Sequence, residues 1–270
     1  MHKRLLPGVI GVLVFAFPAS RLNAQEGIEG VATGLGNRFI QMNTPLTNDK
    51  GVFEALFTHR FNQSVKDSGS GGFWGLDSGA VIGLGVEYVP VRNVAVQIYR
   101  MSTFQDYEFA AKVTLLRPSK GLPVAVGVRG GLNWLTAPYF TKQSSGFGQV
   151  IVSATLFDRV TLAAAPAYVQ RTPFQTDVWN VPVMGQLRIT DSIALIGEFI
   201  PKKSSAAPDA TYQWSAMLEK RLYHHRFALY IGNTIASTTD QMIGGDFVGG
   251  VTDKNIHFGF NLSRDFDLFK

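Results

Sequence analysis

The sequence predicts an all-β fold: a single antiparallel up-and-down transmembrane β-barrel of about 12 strands, preceded by a cleaved signal peptide. Three observations carry that expectation. Apolar residues alternate with small or polar ones at period two from about Gly51 to the end. The links between alternating segments are short and long by turns. After the first 24 residues, no apolar run is long enough for a membrane-crossing helix.

The N-terminus comes first. His2, Lys3 and Arg4 form a basic start, Leu5 to Ala19 an apolar stretch, and SRLNAQ a small-residue cleavage site after Ala24. Pro7 and Pro18 make the apolar stretch a poor spanning helix. Removing residues 1–24 takes away Lys3, Arg4 and Arg21 and no acid, so 25 basic against 20 acidic residues become 22 against 20. That balance offers no strongly basic face for nucleic acid. Cysteine is absent, which excludes a disulfide framework, a cysteine-anchored lipoprotein and thiol chemistry. Residues 25–50 are rich in Gly, Asn and Thr without periodicity. They form either a periplasmic tail or a segment that plugs the lumen. Residues 51–270 form the barrel.

Strands are expected to start near Gly51, Ala80, Asn93, Tyr107, Leu122, Phe147, Val160, Val178, Ser192, Thr211, Arg226 and Asn255. Ile82, Leu84, Val86 and Tyr88 share one face, opposite Val81, Gly83, Gly85 and Glu87. Val94, Val96 and Ile98 oppose Ala95, Gln97 and Tyr99. Phe109, Ala111 and Val113 oppose Glu108, Ala110 and Lys112. Val126, Val128 and Leu132 oppose Ala125, Gly127, Arg129 and Asn133. Ile151 blurs the alternation of Val150, Val152 and Ala154. Toward the end, Phe258, Phe260 and Leu262 oppose His257, Gly259 and Asn261.

Short turns are expected near Pro90–Arg92, Pro118–Gly121, Asp158–Arg159, Thr190–Asp191 and Leu222–His225. Longer links fall at Asn62–Gly79, Ser102–Asp106, Thr136–Gly146, Thr172–Asp177, Pro201–Ala210 and Ser237–Lys254. Outer-membrane barrels sort their connections this way, with short periplasmic turns and long external loops. Tyr107, Trp134, Trp179, Phe199 and Trp214 fall at strand ends beside the long links, and Tyr88 and Phe266 mark the other rim. Such rings suit the level where hydrocarbon meets headgroup. Inside lipid only a helix or a closed sheet satisfies every backbone group. The rival is a soluble all-β periplasmic binding protein, with the same alternation turned inside out.

The stretches FIQMNTPLTNDKGVFEALFTHRF, FWGLDSGAVIGLGVEY, VAVQIYR and NIHFGFNLSRDF resemble an uncharacterised family of bacterial outer-membrane β-barrels, the domain of unknown function 5777. The resemblance runs from about Phe39 to Phe266. It implies an outer-membrane barrel with a signal peptide, and it implies no activity, substrate or cofactor. Outer-membrane chains often finish on an aromatic residue read by the assembly machinery. Here Phe266 or Phe269 serves, before Lys270.

No G-x-S-x-G, H-E-x-x-H, Walker A or G-x-G-x-x-G motif occurs. His257, read as inward, is the one candidate for a histidine–serine lipid hydrolase. A lone inward histidine is more often a hydrogen-bonded lumen residue. The two D-S-G copies, Asp67-Ser68-Gly69 and Asp77-Ser78-Gly79, lack an EF-hand spacing, and turn chemistry accounts for them. No cofactor, metal or catalytic residue is expected. The inner face is expected to carry Glu54, Arg60, Glu87, Glu108, Lys112, Arg129, Arg188, Glu198, Glu219 and Arg264. These charges either tune a polar conduit or pair to fill a narrow lumen. The expectation is a monomeric, non-enzymatic outer-membrane barrel: a narrow pore for small solutes, or a structural or docking barrel. Its partners are membrane lipid and, during biogenesis, the barrel-assembly machinery.

Overall fold

The computed structural model describes residues 36–119, 121–138, 143–173, 176–201, 212–245 and 255–267. The signal peptide assigned to residues 1–24 and the alternative assembly signal Phe269 lie outside the described residues.

Twelve strands close into a barrel. The first six are β1 Val52–Phe61, β2 Ala80–Val91, β3 Val94–Met101, β4 Asp106–Leu116, β5 Val124–Leu135 and β6 Gln143–Leu156. Next come β7, built from Val160–Ala164 and Ala167–Gln170, and β8, built from Val178–Asn180 and Val183–Arg188. The last four are β9 Ile193–Ile200, β10 Gln213–Leu222, β11 His225–Gly232 and β12 His257–Asp267. Each strand pairs antiparallel with its sequence neighbours, and β12 returns to β1 with Phe57 opposite Leu262. Among the described residues the ring of strands closes, with only the short stretch Val178–Asn180 paired on one side, and closure is what a membrane-crossing sheet requires.

Two prolines explain the divided strands. Pro166 and Pro182 have no N–H to donate, so the ladder breaks beside each of them. Their carbonyls keep it in register: the Val150 N–H donates to Pro166 O and the Ala165 N–H to Pro182 O, both at 2.9 Å. The sixth strand starts at Gln143 rather than near Phe147, because Ser144 and Ser145 pair with Trp134 and Asn133 although they add nothing to the apolar alternation.

The aliphatic rows point outward. Leu84, Leu132 and Leu229 are 55%, 53% and 68% exposed, and their sequence neighbours on either side turn inward. Left in water, each such side chain would forgo about 1.5–3 kcal/mol of burial. An apolar solvent must cover this face, and the soluble inside-out arrangement is ruled out. Ile151, ambiguous by pattern, points inward and is fully buried. Room inside is tight. A Cβ on Gly83 would lie 1.8 Å from the Tyr99 hydroxyl, and one on Gly85 would lie 2.6 Å from the same ring. Glycine on the inner face of β2 is therefore what lets Tyr99 lie across the lumen.

The core of the molecule sits inside the barrel. Phe39, Ile40 and Met42, from before β1, pack with Met242 and Ile243, from between β11 and β12. Around them stand Ile151, Val169, Met184, Ile196 and Met217 of the wall.

Candidate functional site

The lumen is the candidate site, and its wall charges hold two inserted segments. The first is 36–48, which lies inside the wall before β1 begins. It turns back on itself: the Phe39 N–H donates to Met42 O and the Thr44 N–H to Asn37 O, each at 2.9 Å. At the tip, the N–H groups of Ile40, Gln41 and Met42 all donate to Glu198 Oε1, at 2.8, 3.0 and 2.8 Å. Successive amides converging on one oxygen make an anion nest, here filled by a wall carboxylate. Asn261 Nδ2 donates to Ile40 O at 3.2 Å, and Thr114 Oγ1 donates to Pro45 O at 2.8 Å. Asn37 Nδ2 donates to Glu54 Oε2 at 2.5 Å, and Lys112 Nζ to Asn37 O at 3.3 Å.

The second segment is 233–245, with the short helix α2 (Thr239–Ile243) at its end. Sequence reading placed most of it in an external loop. Its described part instead folds back into the barrel, and every residue from Asn233 to Gly245 is buried. The Thr239 N–H donates to Glu108 Oε2 at 2.6 Å, and Arg129, ion-paired with Glu108, donates to Thr239 Oγ1 at 2.8 Å. Gln241 Nε2 reaches Asp106 Oδ2 at 3.0 Å, and Gln213 Nε2 reaches Met242 O at 3.1 Å. The Tyr99 hydroxyl bridges Thr58 Oγ1 and Ser237 Oγ at 2.7 Å each. Burial, then the neighbouring Asp106 carboxylate, pushes the Asp240 carboxyl well above the ordinary carboxylate range.

Of the charged residues assigned to the lumen, Glu54, Arg60, Glu87, Glu108, Lys112, Arg129, Glu198 and Glu219 are buried on the inner face. Lys112 pairs with Glu87 at 3.7 Å, and Arg221 with Glu219 at 3.4 Å. Arg60 donates to Asn261 Oδ1 at 2.8 Å, with its guanidinium 3.7 Å from the Tyr230 ring centre. Arg188 is half-buried at the short-turn end and donates to Asp158 O. Arg264 is a correction. It shares the parity of Phe258, Phe260 and Leu262, so it faces outward and is exposed. Its guanidinium lies 4.8 Å from the Phe266 ring centre, outside the barrel. Charge suggested the lumen, but strand parity decides.

Sequence reasoning missed Arg226, Asp106 and Asp240. Arg226 lies 3.9 Å from Glu54 and 3.4 Å from Asp265, inside the short-turn end. Its parity with Ala228 and Tyr230 was the available signal, as was that of Asp106 with Glu108. Asp240 lies in a segment without periodicity and gave none.

Tyr107, Trp134, Trp179, Phe199 and Trp214 stand on the outer face at the long-loop end, with Tyr107 and Trp134 ring centres 6.0 Å apart. Tyr88 and Phe266 face outward at the short-turn end, where Phe266 meets Phe53 at 6.2 Å. His257 Nδ1 lies 3.0 Å from Phe61 O. In the first long loop, Ser64 Oγ accepts from the Asp67 N–H at 3.0 Å and Ser78 Oγ donates to Gly75 O at 2.6 Å, so both D-S-G copies are engaged in local turns.

A family profile described as a membrane bound beta barrel domain (DUF5777) matches residues 35–266. No curated protein matches the chain. Among solved structures, the COG4313 outer membrane channel from Pseudomonas putida F1 is similar at a TM-score of 0.51 and 11% identity, over 82% of this chain and 97% of that one. Outer membrane phospholipase A from Escherichia coli has a TM-score of 0.46 and 10% identity, over 86% of this chain and 97% of the other. OmpT of Vibrio cholerae has a TM-score of 0.39 and 12% identity, over 82% and 100%. At such identities the likeness to the channel shows the barrel fold alone.

Proposed function

We propose the following role for a chain that belongs to the family of the membrane bound beta barrel domain DUF5777. It is a non-enzymatic outer-membrane barrel closed by two of its own segments. Small polar solutes pass only when one of them withdraws. The short turns face the periplasm and the long loops face outward. Segment 36–48 then enters from the periplasmic mouth and segment 233–245 from the external one.

The observation that carries this reading is the use made of the wall charges. A standing conduit would present Glu198, Glu108 and Arg129 to water. Here Glu198 is bonded to the backbone of 40–42, and Glu108 and Arg129 to Thr239. The apolar contacts of Phe39, Met42 and Met242 add a packed core that a water-filled pore lacks.

Liposome swelling tests the proposal. Vesicles holding the full chain should swell slowly in small sugars, and vesicles holding a chain without residues 36–48 should swell fast. Equal swelling by the two, with the shortened chain shown to be folded, overturns it. A docking role has one observation in its favour. Phe73 and Trp74 are half exposed on the first long loop, with ring centres 5.6 Å apart.

A further inference from the structure

The outward position of Arg264 marks one end of a groove on the lipid face. Ala55 sits between Phe53 and Phe57 on the outer side of β1, opposite Arg264 on β12 and Val86 on β2. Arg264 in turn stands opposite His225 on β11. One row of outward side chains therefore runs Val86, Ala55, Arg264, His225, with a methyl group at its centre. Phe57, Leu262 and Phe227 form a taller row on one side, and the Phe53–Phe266 ring pair rises on the other. A trough of about 540 Å³ with an almost wholly apolar lining runs over Ala55, Val86 and Ile98 beside the Phe57 row, and it reaches Arg100 and Tyr107 on the β3–β4 side. His225 and Arg264 flank it near the short-turn end, and no acidic side chain lines it among the described residues. The acids of this region, Glu54 and Asp265, point inward to Arg226.

We propose that this groove binds one anionic phospholipid, its phosphate against Arg264 and His225 and an acyl chain lying along Ala55 and Val86 beside the Phe57 row. Shape and charge both point that way. A trough with a small floor beside a tall apolar row seats a chain better than a smooth barrel face does. A cationic side chain on a lipid face is costly toward mid-bilayer and tolerated where it reaches the interface. At that level a phosphate diester supplies the countercharge and accepts from the guanidinium in fork geometry. The Phe266 ring under Arg264 holds the guanidinium on the outer side. The neighbouring outward Lys220 donates to Ser192 Oγ at 2.8 Å and adds positive charge on β10. The inference rests on the barrel lying in a bilayer and not on the lumen being closed.

Native mass spectrometry of the full chain released from nanodiscs of equimolar phosphatidylglycerol and phosphatidylethanolamine tests it. One phosphatidylglycerol should be retained in preference, by about fivefold for each basic group engaged. Arg264→Gln with His225→Gln should abolish the preference, and Arg264→Lys should keep part of it. Ala55→Phe, which fills the trough and leaves the lumen untouched, should lower retention of both lipids. No preference in the unmodified chain overturns the proposal. So does a preference unchanged in the double variant, or a second copy of the chain found in the groove by cross-linking through Ala55→Cys. Should the double variant fail to fold, the loss of preference in the unmodified chain at high salt, against its persistence, decides the same question.

Discussion

The Glu198 carboxylate lies 2.8 Å from the amide nitrogen of Ile40, across 158 positions of sequence. The same oxygen takes the next two amides, so one wall residue fixes the turn of the segment that fills the lumen. Glu198→Ala should free that segment and lower stability by about 2–4 kcal/mol, as expected for buried charge-assisted hydrogen bonds. The chain has no cysteine. A single Gln41→Cys probe therefore reports directly: a water-soluble maleimide should label it rapidly in the Glu198→Ala background and slowly otherwise.

Arg129 and Glu108 form a buried ion pair whose two members also hold Thr239. Removing one partner leaves the other charge buried and unpaired. Arg129→Met should cost about 3–5 kcal/mol in urea unfolding, and adding Glu108→Gln should restore part of that loss.

Gly83 lies under the Tyr99 hydroxyl, which bridges Thr58 and Ser237. Gly83→Val should overpack this point, cost about 1–3 kcal/mol and detach Ser237. A melting curve in detergent reads the first effect. Faster proteolysis within 233–245 reads the second.

The raised Asp240 carboxyl gives the external segment a pH dependence. A carboxyl raised in the folded state contributes stability that is complete below its unfolded value and is lost as pH rises through the folded one. From about pH 4 upward, then, the seating of 233–245 weakens. The groups around Asp240 are Asp106 and Glu108, with Arg129 paired to Glu108. Proteolysis of the segment should quicken as pH rises, and Asp240→Asn should flatten that profile.

The barrel was legible because its signal is local. Alternation at Ile82–Tyr88 or Phe258–Leu262 states which residues share a face, and the exposed aliphatics show which face meets lipid. The contents of the lumen were less legible. Residues 25–50 read as tail or plug because Gly, Asn and Thr carry no period, and Ser237–Gly245 reads as part of an external loop for the same reason. Their positions are set by contacts such as Glu198 with Ile40 and Arg129 with Thr239, which join distant parts of the chain. Arg264 misled for a different reason. Charge points to the lumen and strand parity to lipid, and the interface level accepts an arginine that mid-bilayer would not.

Single-channel recording in planar bilayers tests the closed lumen most directly. The full chain should stay silent at neutral pH. A folded variant with 235–243 replaced by a glycine–serine linker should show steady ion current. Steady current through the full chain, or silence in the folded variant, contradicts the account.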